Sequence, residues 1–347
     1  MSKNSHHFEE KYASRRLILP SLIFSFTTPT LTSVLTSLLL IDIGRTFGHP
    51  VGVTGQIRTL ASFIGAISAL LMGMWSVRFN NKSLLLMGLV FCCISSIGCY
   101  SAVNFTMMLI TYAIWGLGIS MVAPMTYTLV GELFPLEKRV SAIGWINAGD
   151  GLAFIIGAPI IGIIAGIGGW SVAFIGFVLS ITLLSIVMAV KWIPSPMQSS
   201  HPPRNKGQYI EGIRGVIANH SALACLGGAA LSWAGWQAIL VYSASFFRQH
   251  FRTSTGYASI IIGSAVFSYA VGTLVSGQAV TRLGKRPITV ITGVIAGVFI
   301  ILYPNVPISW IAFALMALGC LFFGTLVTTA YSLTLEQLPN FRGTMMY

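Results

Sequence analysis

The segment Gly73-Met74-Trp75-Ser76-Val77-Arg78-Phe79-Asn80-Asn81-Lys82 returns 204 residues later as Gly277-Gln278-Ala279-Val280-Thr281-Arg282-Leu283-Gly284-Lys285-Arg286. Each copy places a small residue, then an arginine, then a turn with further positive charge between two long apolar runs. Counted outward from these anchors, the chain holds ten such runs, at about 17–41, 53–77, 83–103, 106–130, 140–166, 170–193, 221–247, 256–278, 287–303 and 307–331. A membrane-spanning helix needs about 20 mostly apolar residues, whereas barrel strands are about 9–11 residues long and alternate in polarity. These runs are long and do not alternate, so they predict helices. The repeated segment follows the second run and the eighth, which sorts the runs into two parallel sets.

Composition excludes the competing classes. Of 347 residues, 55% are apolar and only 8% charged, and mean hydropathy is +0.81. A soluble domain carries roughly 25% charged residues. A third of that cannot cover a water-facing surface, which rules out a soluble enzyme and a disordered chain. The net charge of +12 needs another origin. With the N-terminus inside and ten alternating helices, 16 of the 20 Lys and Arg residues fall on inner segments, and Arg45, Arg58, Arg248 and Arg252 fall on the outer side. Inner loops carry this excess by the positive-inside rule and face an anionic leaflet, so no nucleic-acid partner is implied.

The chain thus reads as an all-α integral membrane protein. Its parts are a polar cytoplasmic tail (1–15), a six-helix half (16–193), a cytoplasmic linker (194–220) and a second half with four helices (221–347). The linker holds Pro194, Pro196, Pro202 and Pro203 among Ser, Gln, Arg and Lys. Cys92, Cys93, Cys99, Cys225 and Cys320 lie in apolar stretches without metal-ligand spacing and read as packing residues. The six histidines lie in tails, loops or helix ends, and no phosphate-binding Gly-x-x-x-x-Gly-Lys-Ser/Thr loop is present. Neither a metal nor a cofactor is expected.

Two charges stand inside apolar runs. Asp150 is the eleventh residue of the fifth run, about 15 Å in at 1.5 Å per residue, which is the midplane of a core about 30 Å thick. A carboxylate there costs several kcal/mol unless it faces a cavity or a partner. It is a candidate proton carrier, with Asn147 one turn away on the same face; the competing reading is a structural Asp flanked by Gly149 and Gly151. Arg58, about 8 Å from the outer end of the second run, reads either as a cavity charge for an anionic group, Asp42 or Asp150, or as a snorkelling anchor.

Here the residues become specific. The copies above resemble the Gly-x-x-x-Asp-Arg-x-Gly-Arg-Lys/Arg loop of the major facilitator superfamily. The first keeps Gly73, Arg78 and Lys82, with Val77 and Asn80 as departures; the second keeps Gly277, Arg282, Gly284, Lys285 and Arg286, with Thr281 as the departure. Segments 43–48 with 54–56, 132–139 and 336–343 are similar to that family's other inter-helix links. Gly157-Ala158-Pro159-Ile160-Ile161-Gly162 is similar to the helix-5 segment of its drug:proton antiporters, where it would serve packing or hinging. The resemblance covers essentially the whole chain. It implies two six-helix halves that exchange access around a central cavity, without ATP.

It also places the first, fourth, seventh and tenth runs around that cavity, which makes Thr28, Thr32, Tyr112, Trp115, Trp233, Trp236, Gln237 and Thr328 substrate candidates; helix packing is the alternative for each. Few charges among Trp, Tyr and Thr suit an amphipathic or aromatic organic molecule. Efflux members carry an Arg four residues before a Gly in helix 4, where this chain has Tyr112 before Gly116. The span 16–193 has 178 residues and 221–347 has 127, a difference of 51; the eleventh and twelfth helices are expected to be missing.

The implied function is proton-coupled export of small organic compounds at the cell membrane, by a monomer whose partners are substrate, protons and lipid. Uptake of a solute is an alternative, and a truncated, non-transporting scaffold is another. In a cysteine-free background, Asn205→Cys should label only from the cytoplasmic side and His250→Cys only from outside. Outside labelling at position 205 would overturn the arrangement.

Overall fold

The computed structural model describes residues 3–75, 79–194 and 219–337. The chain divides into two compact units, Met1–Ser200 and His201–Tyr347. The linker expected at 194–220 falls almost wholly outside the described residues. In the first unit the helices are α1 (Lys3–Leu38), α2 (Leu40–Phe47), α3 (Val51–Thr54), α4 (Gln56–Trp75), α5 (Asn81–Tyr100), α6 (Phe105–Leu133), α7 (Leu136–Ala173) and α8 (Ser180–Trp192). A π-helical stretch, Phe174–Leu179, leads into α8. The second unit has α9 (His220–His250), α10 (Thr255–Leu283), α11 (Lys285–Leu302) and α12 (Ser309–Gln337).

Each of the ten apolar runs is helical. Among the described residues, eight helices are long and apolar enough to cross a membrane. One of these, 142–192, is 51 residues long and contains the fifth and sixth runs. They part at Gly169, whose φ of 84° breaks the helical path and is open to glycine without a Cβ penalty. Helix α1 begins at Lys3, so the backbone of the expected polar tail is already helical. Ile167, Leu231 and Leu274 are more than three-quarters exposed, a placement that lipid favours and water does not.

The repeated segment makes its turn by two different means. In the first copy Asn80 is extended and its side chain accepts from the Lys82 backbone N–H at 3.0 Å, capping α5. An Asn at this position satisfies one orphan donor of the helix start. At the matching place in the second copy Gly284 takes φ 80°, ψ 161° between α10 and α11, a conformation nearly reserved to glycine. The family's second glycine is therefore replaceable in the first copy because a side-chain cap takes over its task.

Packing repeats between the units. In the first, α4 and α5 lie on α6, and α1 lies on α7 and α8. In the second, α10 and α11 lie on α12. The second and fourth membrane helices of each unit meet through glycine. A Cβ on Gly116 of α6 would strike the Ala61 carbonyl of α4, and one on Gly272 of α10 would strike the Leu321 carbonyl of α12. Close backbone approach of this kind drives helix association in lipid, where burying apolar surface gains little. The Gly162/Gly166 and Gly293/Gly297 pairs are less used: Gly293 is close to Leu326, Gly162 makes ordinary contact with Leu38, and Gly166 and Gly297 face open space. Gly116→Ala should therefore lower stability by about 1–3 kcal/mol, as overpacking does. Gly166→Ala should leave the unfolding midpoint in detergent unchanged, and equal effects of the two would contradict this packing.

Candidate functional site

Two polar clusters lie inside the first unit. The first gathers around Arg58, which is 8% exposed. Its Nη1 donates to the Ser33 carbonyl at 3.2 Å and to the Ser33 hydroxyl. The guanidinium lies 5.6 Å from the centroid of the Trp115 ring, within cation–π range, and it interacts electrostatically with Tyr112. The Thr36 and Tyr112 hydroxyls are hydrogen-bonded at 2.9 Å, and Trp115 Nε1 donates to the Pro29 carbonyl at 3.2 Å. The Tyr112 and Trp115 rings are 5.1 Å apart. Arg58 is thus held among α1, α4 and α6 rather than reaching out as an anchor. Its donors fan out to several acceptors, as the planar fork of Arg permits. The cluster also answers the departure at Tyr112: a cation does stand beside that residue, supplied from α4.

The second cluster surrounds Asp150. In α7 it lies 14 residues after Leu136 and 19 before the break at Gly169, near the middle of the helix. Thr30 of α1 donates to Asp150 Oδ1. One turn earlier on α7, Asn147 Oδ1 accepts from the Tyr127 hydroxyl of α6 at 2.7 Å. Tyr127 also interacts electrostatically with Asp150, and its ring meets Phe26 at 5.2 Å. Asp150 is half-buried and Asn147 exposed. Gly149 of α7 sits against Ile23 of α1, with no room for a Cβ, which brings the two helices close beside the carboxylate.

The remaining candidates divide. Thr28 bonds Ser185 of α8 at 3.0 Å and so joins two helices. Thr32 is fully buried and its hydroxyl has no partner. In the second unit Trp236 is buried and stacks on Tyr269 at 4.0 Å and 19°, with Phe323 at 6.4 Å. Trp233 is 43% exposed, Gln237 half-buried and Thr328 exposed, with the Thr328 hydroxyl donating to the Gly324 carbonyl at 2.8 Å. Gly157 of α7 abuts Leu31 of α1, and Pro159 lies inside α7.

Of the loop residues, Gly73 lies within α4, and Arg78 lies outside the described residues. Lys82 Nζ donates to the Val190 carbonyl at 3.0 Å. Neighbouring Asn81 donates to Glu132 Oε1, while Glu132 Oε2 is buried without a partner. Gly277 faces open space, Arg282 is exposed near the end of α10, and Lys285 and Arg286 open α11. Most of the link at 336–343 lies outside the described residues. Among the described residues no group of three or more His, Cys, Asp or Glu could hold a metal ion.

Sequence reasoning missed Thr30, Ser33, Tyr127 and Tyr269. Each matters through a partner on another helix, and spacing along one helix carries no sign of that.

Long apolar helices that gather polar residues between them define a multi-pass membrane protein. The sequence profile of the Major Facilitator Superfamily matches residues 21–347, and the chain belongs to that family. A relative from Mannheimia succiniciproducens named "Probable sugar efflux transporter" is 29% identical over 183 residues, 52% of this chain and 45% of the relative. The match thus spans about half the length of each. Solved structures of transporters share the fold. A bacterial homolog of the human lysosomal transporter Spinster matches with TM-score 0.70 at 16% identity, over 96% of this chain and 80% of its own. The nucleoside transporter NupG matches with TM-score 0.75 at 15%, over 95% and 85%. The xylose transporter XylE from E. coli matches with TM-score 0.68 at 15%, over 96% and 91%.

Arg58→Lys keeps the charge but loses the fork and the ring stacking. It should lower stability by about 1–3 kcal/mol, the cost of buried acceptors losing their donors. A wild-type unfolding midpoint would show that the Arg58 cluster is not a structural tie.

Proposed function

We propose that this protein is a secondary transporter that exports small organic compounds across the cell membrane in exchange for protons, with its N-terminus in the cytoplasm. The observation that carries the reading is Asp150, a carboxylate near the middle of a membrane helix with its charge met by one hydroxyl. Intramembrane carboxylates are expensive, and proton relays are among the uses that retain them. The efflux name of the Mannheimia succiniciproducens relative supports export, and it puts small sugars beside amphipathic and aromatic compounds in the substrate panel. Arg58, Tyr112 and Trp115, with the unpartnered Thr32 hydroxyl, are the substrate candidates of the first unit, buried in this structure. Trp233, Trp236, Gln237 and Thr328 are those of the second unit. The loop residues Gly73, Arg78, Lys82, Gly277, Arg282, Gly284, Lys285 and Arg286 act in the change of access, and the working unit is a monomer.

Accumulation and exchange of the panel in vesicles, with and without a pH gradient, test this. Asp150→Asn has nearly the same shape as the protonated acid. It should lose gradient-driven accumulation at least tenfold while keeping substrate exchange. Wild-type gradient dependence in that variant would remove Asp150 from coupling, and loss of the protein from the membrane would favour a structural role.

A further inference from the structure

Three threonines inside α1 bond back to their own helix, although Thr28 and Thr36 also meet a hydroxyl of another helix. Thr27 and Thr28 donate to the Phe24 carbonyl at 3.1 and 3.0 Å, and Thr36 donates to the Thr32 carbonyl at 2.8 Å. Such back-bonding is the ordinary fate of a Thr in a membrane helix. Thr30 departs from it by reaching across to Asp150 on α7. It does so one residue after Pro29, whose ring carries no N–H for the Ser25 carbonyl and loosens the helix at that turn.

We propose that Thr30 is the positioning residue of the proton site: its hydroxyl holds the ionised Asp150 against α1, and protonation of Asp150 reverses and weakens that tie. This rests on the reading of Asp150 as the proton-coupling carboxylate. In the ionised state the Thr30 O–H donates to the carboxylate, a charge-assisted bond roughly twice as strong as a neutral one. When a proton arrives it stays on the carboxyl, and no other bond is made or broken. The Asp150 O–H then donates to Thr30 Oγ1, and the Thr30 hydrogen turns to the Phe26 carbonyl four residues back, the position its neighbours already use. The link between α1 and α7 becomes a neutral one beside the proline-weakened turn. Loading a proton therefore frees α1 to move against α7 without leaving a polar group unpaired.

The surroundings leave Thr30 this role. The elements packed on α7 are α1, α5, α6 and the Phe174–Leu179 stretch. Residues 17–38 of α1 and 174–179 hold no titratable side chain. On α5 these are Lys82, bound to the Val190 carbonyl, and Cys92, Cys93, Cys99 and Tyr100. On α6 they are Tyr112, bound by Thr36, Glu132, bound by Asn81, and Tyr127. Of these, Tyr127 is the group that interacts with Asp150, and it donates to Asn147.

The test is an infrared titration of the carboxyl stretch in the purified chain in lipid nanodiscs, with the Asp150 contribution isolated by subtracting Asp150→Asn. It needs no substrate. Thr30→Val keeps the shape and removes the hydroxyl. Its carboxyl band should reach half height about one pH unit above that of wild type, a tenfold change in proton affinity. Thr30→Ser restores the donor and should titrate as wild type does. If Thr30→Val does not fold, Thr30→Ala removes the same donor and is read the same way. A hydroxyl-free variant that titrates with wild type would overturn the role of Thr30 and leave Asp150 as the proton site. A titrating band that survives Asp150→Asn unchanged would overturn the proton-site reading itself.

Discussion

Inside hydrocarbon a polar group has to be answered by another polar group of the same bundle, and the first unit is organised around that constraint. The guanidinium of Arg58 is met by Ser33 and capped by the Trp115 ring. The carboxylate of Asp150 is met by Thr30, and Asn147 by Tyr127. The Ser185 hydroxyl of α8 reaches the Phe24 carbonyl of α1 at 2.9 Å. The ties to Ser33, Thr30 and Phe24 end on α1, which makes it the helix against which α4, α7 and α8 are set. Among the described residues of the unit, two buried side-chain oxygens stand outside the scheme, Thr32 Oγ1 and Glu132 Oε2. Each leaves an acceptor that a ligand or a change of conformation can take up.

The two units answer a shared architecture with different residues. Glycine carries the contact between the second and fourth membrane helices in both, at Gly116 and at Gly272. The repeated loop, by contrast, closes with an Asn cap in one unit and a positive-φ glycine in the other. A helix contact that depends on backbone approach tolerates little besides glycine, whereas a helix start can be satisfied by a side chain or by the backbone conformation. The polar chemistry divides as well. The buried Arg58 and the half-buried Asp150 belong to the first unit, while the second offers the stacked rings of Trp236 and Tyr269.

Helix positions and the family were legible in the sequence because length and apolarity suffice for the first, and the repeated loop with its neighbouring links suffices for the second. Asp150 was legible because one carboxylate at mid-run depth is unusual on cost alone. Arg58 was seen, but its setting was not: distance from the end of a run allowed snorkelling, and only the placement of Ser33, Tyr112 and Trp115 around it decides for burial. Thr30 was invisible among ten Ser and Thr residues between 21 and 46. What sets it apart is which carbonyl or carboxylate lies across the helix interface, and that is a property of packing.

The central claim is that substrate moves in exchange for protons, with Asp150 as their carrier. The most direct measurement loads proteoliposomes with a substrate identified from the panel and follows internal pH with a trapped dye, no pH gradient being imposed. The account predicts that substrate leaving down its gradient draws protons inward, so that the lumen acidifies in proportion to substrate lost. Substrate efflux at the same rate with no change in internal pH would contradict it.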